Sequence, residues 1–125
     1  MISLGHVNVR TTKLDESVAF YRDVLGLTPG PAATRPDSKD HVWMTDSNGT
    51  ACVHLQRAQT ATSGDGSGVH HFAFNCDDAR AWRRKLETLG VQHEESEFAA
   101  ARMIQFNLRD PNGVLVELTF GPSAA

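Results

Sequence analysis

Residues 6–27 read HVNVRTTKLDESVAFYRDVLGL and residues 71–91 read HFAFNCDDARAWRRKLETLGV. Each stretch opens on a histidine, alternates like a strand, changes to helical spacing and stops at Leu-Gly. Residues 42–55 (VWMTDSNGTACVHL) and 106–118 (FNLRDPNGVLVEL) then match again. Both carry Asp-x-Asn-Gly between two strand-like runs, which marks a hairpin. The chain is therefore an internal repeat of two βαβββ modules, 1–58 and 69–121, joined by residues 59–68 (QTATSGDGSG), a linker composition. With one residue of slack after the glycine, His54 falls opposite Glu117. An α+β fold is expected, its eight strands in one concave mixed sheet with the helices outside.

The helical segments fit this plan. Leu14, Val18, Tyr21 and Leu25 form an apolar stripe in the first, with Thr12 as cap and Gly26 as the left-handed stop. Ala79, Trp82, Leu86 and Leu89 do so in the second, with Asp77 or Asp78 as cap and Gly90 as stop. Each helix has one apolar face and so packs on one face of a sheet. The stretches 30–39, 59–68 and 94–101 read as loops around a cavity mouth.

Composition excludes several functions. The 125 residues carry a net charge of −3, which provides no basic field for nucleic acid or an anionic membrane. No apolar run approaches the roughly 20 residues of a membrane span, and the start of the chain lacks the pattern of a signal peptide. Cys52 and Cys76 lie in apolar runs and read as buried free thiols in a reducing cytoplasm. A cytoplasmic protein acting on a small molecule is the expectation.

Strand alternation sorts the polar residues. Val7 and Val9, Phe72 and Phe74, Ala51, Val53 and Leu55, and Val114, Val116, Leu118 and Phe120 take the core faces. That leaves His6, Asn8 and Arg10, then His71, Ala73 and Asn75, then His54 and Glu117, on the opposite faces. A lone histidine on a strand is ordinarily a surface residue; here repeat symmetry and common facing select four positions together. His6, His54, His71 and Glu117, three imidazoles and a carboxylate, are the donor set of a divalent metal site. His70 is the weaker candidate because it shares its face with Phe72 and Phe74, and His93 reads as a surface residue. By the same alignment Asn8, Trp43, Ala73, Gln105 and Asn107 line the substrate side, with His41 and Met103 nearby. Arg10, Arg57 and Arg102 read as solvated charges.

At this point the chain resembles the vicinal oxygen chelate superfamily of glyoxalase, bleomycin-resistance and extradiol-dioxygenase proteins. The carriers are GHVNVRTTKLDESVAFYRDVLGL (5–27), VHHFAFNC (69–76) and RDPNGVLVELTF (109–120). The resemblance implies a single domain over 1–125, with paired modules around a metal-containing cavity, commonly as a homodimer. His6, His71 and Glu117 occupy the positions of the two-histidine, one-carboxylate ligand set. His54 departs from the glutamate usual in glyoxalase I-like members and from the glutamine frequent in epimerase-like ones. Asn107 stands about where extradiol enzymes have a tyrosine, and the only tyrosine, Tyr21, is in the first helix.

The function expected is that of a metalloenzyme holding one divalent ion per chain (Zn, Ni, Co, Fe(II) or Mn), which chelates neighbouring oxygens of a small substrate. Lyase, isomerase or dioxygenase chemistry fits this, with Glu117 and His54 as catalytic groups. The alternative is a metal-free sequestration protein of the bleomycin-resistance kind.

Overall fold

The first repeat begins with β1 (Val7–Thr11), in which Val9 and Thr11 are buried and Asn8 and Arg10 exposed. It continues through α1 (Leu14–Ala19), a π-helical turn (Phe20–Val24), β2 (Thr28–Pro31), β3 (His41–Thr45) and β4 (Ala51–Arg57). The second repeat follows with β5 (His71–Cys76), α2 (Ala79–Leu89), β6 (Glu94–Phe98), a 3-10 turn (Ala99–Ala101), β7 (Met103–Arg109) and β8 (Leu115–Phe120). The computed structural model describes residues 4–32, 35–60 and 71–121, and the chain divides into two compact units, Met1–Ser63 and Gly64–Ala125. His70 and most of the glycine-rich linker lie outside the described residues.

The eight strands form two four-stranded mixed sheets, one per unit, ordered β1-β4-β3-β2 and β5-β8-β7-β6. In each, the first strand pairs in parallel with the last and the remaining pairs are antiparallel. Register proves the repeat. His54 lies between Asn8 and Trp43, and Glu117 lies between Ala73 and Asn107. The extra residue after the first hairpin is absorbed by a register shift between Met44 and Thr45. On the hairpin side of that shift the simple alternation along β4 no longer holds, and Ala51 is exposed rather than in the core.

Both hairpins work by one device. The Asp46 carboxylate accepts from Asn48 and Thr50 backbone N–H groups, and that of Asp110 from Asn112 and Val114. Gly49 and Gly113 each sit at φ 82°, a left-handed conformation open to glycine at no steric cost.

Three details of the elements differ from the sequence reading. Lys13, not Thr12, occupies the cap position of α1; its N–H bonds to Thr11 Oγ1 at 2.8 Å. Ser17 rather than Val18 is the buried member of the stripe, because its hydroxyl bonds to the Lys13 carbonyl at 2.7 Å and meets Thr11 Oγ1 at 3.2 Å. A small polar residue can thus be buried with its bonding satisfied. In α2 Asp78 caps by accepting from Ala81 N–H and Gly90 ends the helix at φ 68°, but Leu89 is 48% exposed.

The stretches at 30–39 and 94–101 are not wholly loop. β2 begins at Thr28, and its two prolines are tolerated because it is an edge strand. β6, an edge strand of the second sheet, is Glu-Glu-Ser-Glu-Phe, whose charges discourage pairing with another sheet. Val53, Leu55, Val116 and Leu118 are buried to 1% exposure or less. Each such side chain stabilises the fold by about 1.5–3 kcal/mol.

Candidate functional site

In the first unit, β1, β3 and β4 bring five polar or aromatic side chains together on the face opposite the core. His54 stands at the centre. Its ring is stacked on Trp43 with centroids 4.6 Å apart and planes 11° from parallel. His6 meets the same indole edge-on at 4.3 Å. The Asn8 side-chain amide lies 3.0 Å from His54 Nδ1 and 3.3 Å from the Gln56 amide. His54 Nε2 is 2.8 Å from His41 Nδ1, and His41 Nε2 is 3.1 Å from Arg35 Nη1.

His41 is therefore a bonded member of this cluster. It is 9% exposed and bonded on both ring nitrogens. Burial, followed by the neighbouring His41, His6 and Arg35, holds the His54 imidazole below its ordinary pKa. The Trp43 indole N–H is buried and finds no acceptor among the described residues. An unmet buried donor costs about 1–3 kcal/mol unless a ligand or water completes it.

In the second unit, β5 and β8 bring His71 and Glu117 together. His71 Nε2 is 3.3 Å from Glu117 Oε2, and the carboxylate side chain is 13% exposed against 43% for the imidazole. Ala73 lies directly opposite Glu117 on one side and Asn107 on the other. Gln105 is two pairs further along, opposite Thr119, and its amide donates to Met103 sulfur at 3.5 Å. Asn107 also lines a groove shared with Glu94, Gln92, Arg109 and Leu115. No three His, Cys, Asp or Glu side chains among the described residues form a group able to hold a metal. The imidazole and carboxylate of His71 and Glu117 nonetheless have the donor chemistry of a first-row divalent ion.

Among the other expectations, that for His93 is overturned. His93 is not a surface residue: its side chain is 10% exposed, bonded to Glu95 at 2.9 Å and set against Phe106. Arg83 reaches the same carboxylate at 2.8 Å and lies over the Phe106 ring. Arg57 pairs with Asp40 at 3.2 Å. Cys52 and Cys76 are free and half-buried; burial, with Asp77 beside it, pushes the Cys76 thiol up to about 11. No helix among the described residues is long and apolar enough to cross a membrane.

Sequence reasoning missed Arg35, which sits in an irregular stretch where no periodicity assigns a facing.

Residues 3–118 match the Glyoxalase/Bleomycin resistance protein/Dioxygenase superfamily. The chain belongs to this superfamily. It is 28% identical over 130 residues to Glyoxylase I 4 of Arabidopsis thaliana, covering 94% of this chain and 70% of that protein. It is 30% identical over 132 residues to the uncharacterized protein YqjC of Bacillus subtilis (strain 168), covering 94% and 91%. Among solved structures, the lactoylglutathione lyase of Agrobacterium tumefaciens superposes with a TM-score of 0.72 at 22% identity, covering 97% of this chain and 95% of that one. That likeness establishes the shared fold of the superfamily.

Proposed function

We propose that this superfamily member is a metal-dependent enzyme acting on a small substrate with two neighbouring oxygens, by lyase, isomerase or dioxygenase chemistry. The observation that carries the reading is the His71–Glu117 pair, 3.3 Å apart and nearly withdrawn from water on the carboxylate side. His71 and Glu117 supply an imidazole and a carboxylate to the ion. His6, at the matching place in the first repeat, supplies the second imidazole, and His54 is a further ligand or the neighbouring base. When bound, a divalent ion polarises substrate oxygens as a Lewis acid. The chain's own groups do the rest: Glu117 takes or returns a proton at a carboxylate oxygen, and Trp43 offers its indole N–H to a substrate acceptor.

Metal content of protein purified without chelator or nickel resin tests this. Wild type is expected to hold about one equivalent per chain, lost in His71→Ala and in Glu117→Gln. Unchanged metal content in both variants would overturn the assignment.

The Trp43–His54 stack, with its unmet N–H, favours a second reading: a binding protein that sequesters a flat molecule without metal. Quenching of Trp43 fluorescence by ligand, unaffected by chelator, would select it.

A further inference from the structure

The first unit holds a row of hydrogen-bonding groups whose polarity is decided at one end. Arg35 Nη1 lies 3.1 Å from His41 Nε2, His41 Nδ1 lies 2.8 Å from His54 Nε2, and His54 Nδ1 lies 3.0 Å from the Asn8 amide. A guanidinium only donates. His41 Nε2 must therefore accept, and the proton of a neutral His41 sits on Nδ1. That N–H points at His54 Nε2, so His54 Nε2 accepts in turn and its proton sits on Nδ1. The reverse polarity would set a His41 N–H against an Arg35 N–H, and so would a protonated His41.

The Asn8 end follows. Oxygen and nitrogen of a side-chain amide are told apart by the network they join. A protonated His54 Nδ1 needs an acceptor, so the Asn8 atom facing it is the oxygen. The Gln56 amide, 3.3 Å from the same atom, then turns its nitrogen toward Asn8. The Asn8 nitrogen is left directed away from His54, as a donor on an exposed residue of the sheet. Trp43, stacked on His54 at 4.6 Å, fixes the ring plane in which both bonds lie.

We infer that Arg35 and His41 are positioning residues that lock His54 in its Nδ1–H tautomer, making it the holder of the Asn8 amide and not a metal ligand. One His54 nitrogen carries a proton and the lone pair of the other is taken by His41, so no donor remains for an ion. This rests on the metal reading above and takes His54 out of its ligand set. The substrate feature it selects is an oxygen acceptor placed against the Asn8 N–H.

Long-range proton–nitrogen correlation spectra of the imidazoles, in metal-free 15N-labelled protein at about pH 8, where ordinary histidines are neutral, test the inference. Assignment comes from His41→Gln and His54→Gln. Both residues are expected to show a protonated Nδ1 and a bare Nε2. In Arg35→Met, His41 is expected to move toward the Nε2–H form, and Arg35→Lys, also donor-only, to restore the wild-type pattern. An Nε2–H tautomer at either histidine of the wild type would overturn the inference. Zinc is then added to the same sample. His6 and His71 nitrogens are expected to shift while those of His54 stay, and a shift at His54 Nε2 overturns the inference. Absence of any imidazole shift defeats the metal reading alone, because the tautomers are already decided without metal.

Discussion

Glu95→Gln is expected to remove a share of stability that depends on pH. The Glu95 carboxylate receives three bonds from Arg83, at 2.8, 3.0 and 3.2 Å, and a fourth from His93 at 2.9 Å. Arg83 is the larger influence; against the opposing effect of burial and with help from His93, it holds the carboxyl down at about 2, where 4.5 is ordinary. If that whole gap were stability it would be about 3.4 kcal/mol, at roughly 1.4 kcal/mol per tenfold change in acidity. The side chain is 34% exposed, however. Solvent screening and the entropy of holding the pair reduce the net to about 1 kcal/mol.

The direction with pH follows from which state binds the proton more readily. The folded-state pKa is depressed, so the contribution is complete above about 4.5 and fades as pH falls through about 2. Urea unfolding of wild type and Glu95→Gln across this range is the assay. The variant is expected to be less stable by about 1 kcal/mol at neutral pH, and the two curves to converge near pH 2. A gap that persists undiminished at the acid end would refute the reasoning and assign the loss to packing. No gap at neutral pH would refute it more simply, by showing the pair to be energetically idle.

Phe106→Ala removes a ring at 0% exposure that touches Phe120 and His93 and lies beneath Arg83; urea unfolding is expected to show a loss of about 3–5 kcal/mol. Cys76, pushed up to about 11, is expected to react slowly with a thiol reagent at neutral pH and faster as pH rises toward that value, followed by absorbance. Trp43→Phe keeps a stacking ring against His54 and removes the unmet buried N–H, so the ligand-free protein is expected to be as stable as wild type or more so. Calorimetric titration of that variant is expected to show weaker substrate binding, by about tenfold for one lost bond.

What could be read from the sequence was whatever repeats. Two copies of histidine–strand–helix–Leu-Gly, and two of Asp-x-Asn-Gly, set the module, its hairpins and the equivalence of His54 and Glu117. The failures occur where one copy departs from the other or where no period exists. The register shift at Met44 turned Ala51 outward. The edge strands β2 and β6 were concealed, one by prolines and the other by consecutive acidic residues. Ser17 displaced Val18 from the helix stripe through hydrogen bonds that a hydrophobic pattern does not register. Arg35 lies in a stretch without alternation, and only the fold brings it to His41.

The divergence of the two copies bears on how such a site would be loaded. Equivalent strand positions hold Asn8, His41 and His54 in the first unit and Ala73, Gln105 and Glu117 in the second. Around His54 its cross-strand neighbour Asn8, and His41 two residues along β3 from the other neighbour Trp43, carry groups that bond to its ring, and its nitrogens are occupied. Opposite Glu117, Ala73 has no polar group to offer, and Gln105 turns to Met103 instead. The carboxylate is thus left facing His71 at 3.3 Å, an anion and an imidazole held together with little water on the anion. Bringing a cation to His54 would break a chain of three bonds. On the reading that a metal binds, the His71–Glu117 pair is therefore better suited to it than the His54 ring, whose nitrogens are already engaged.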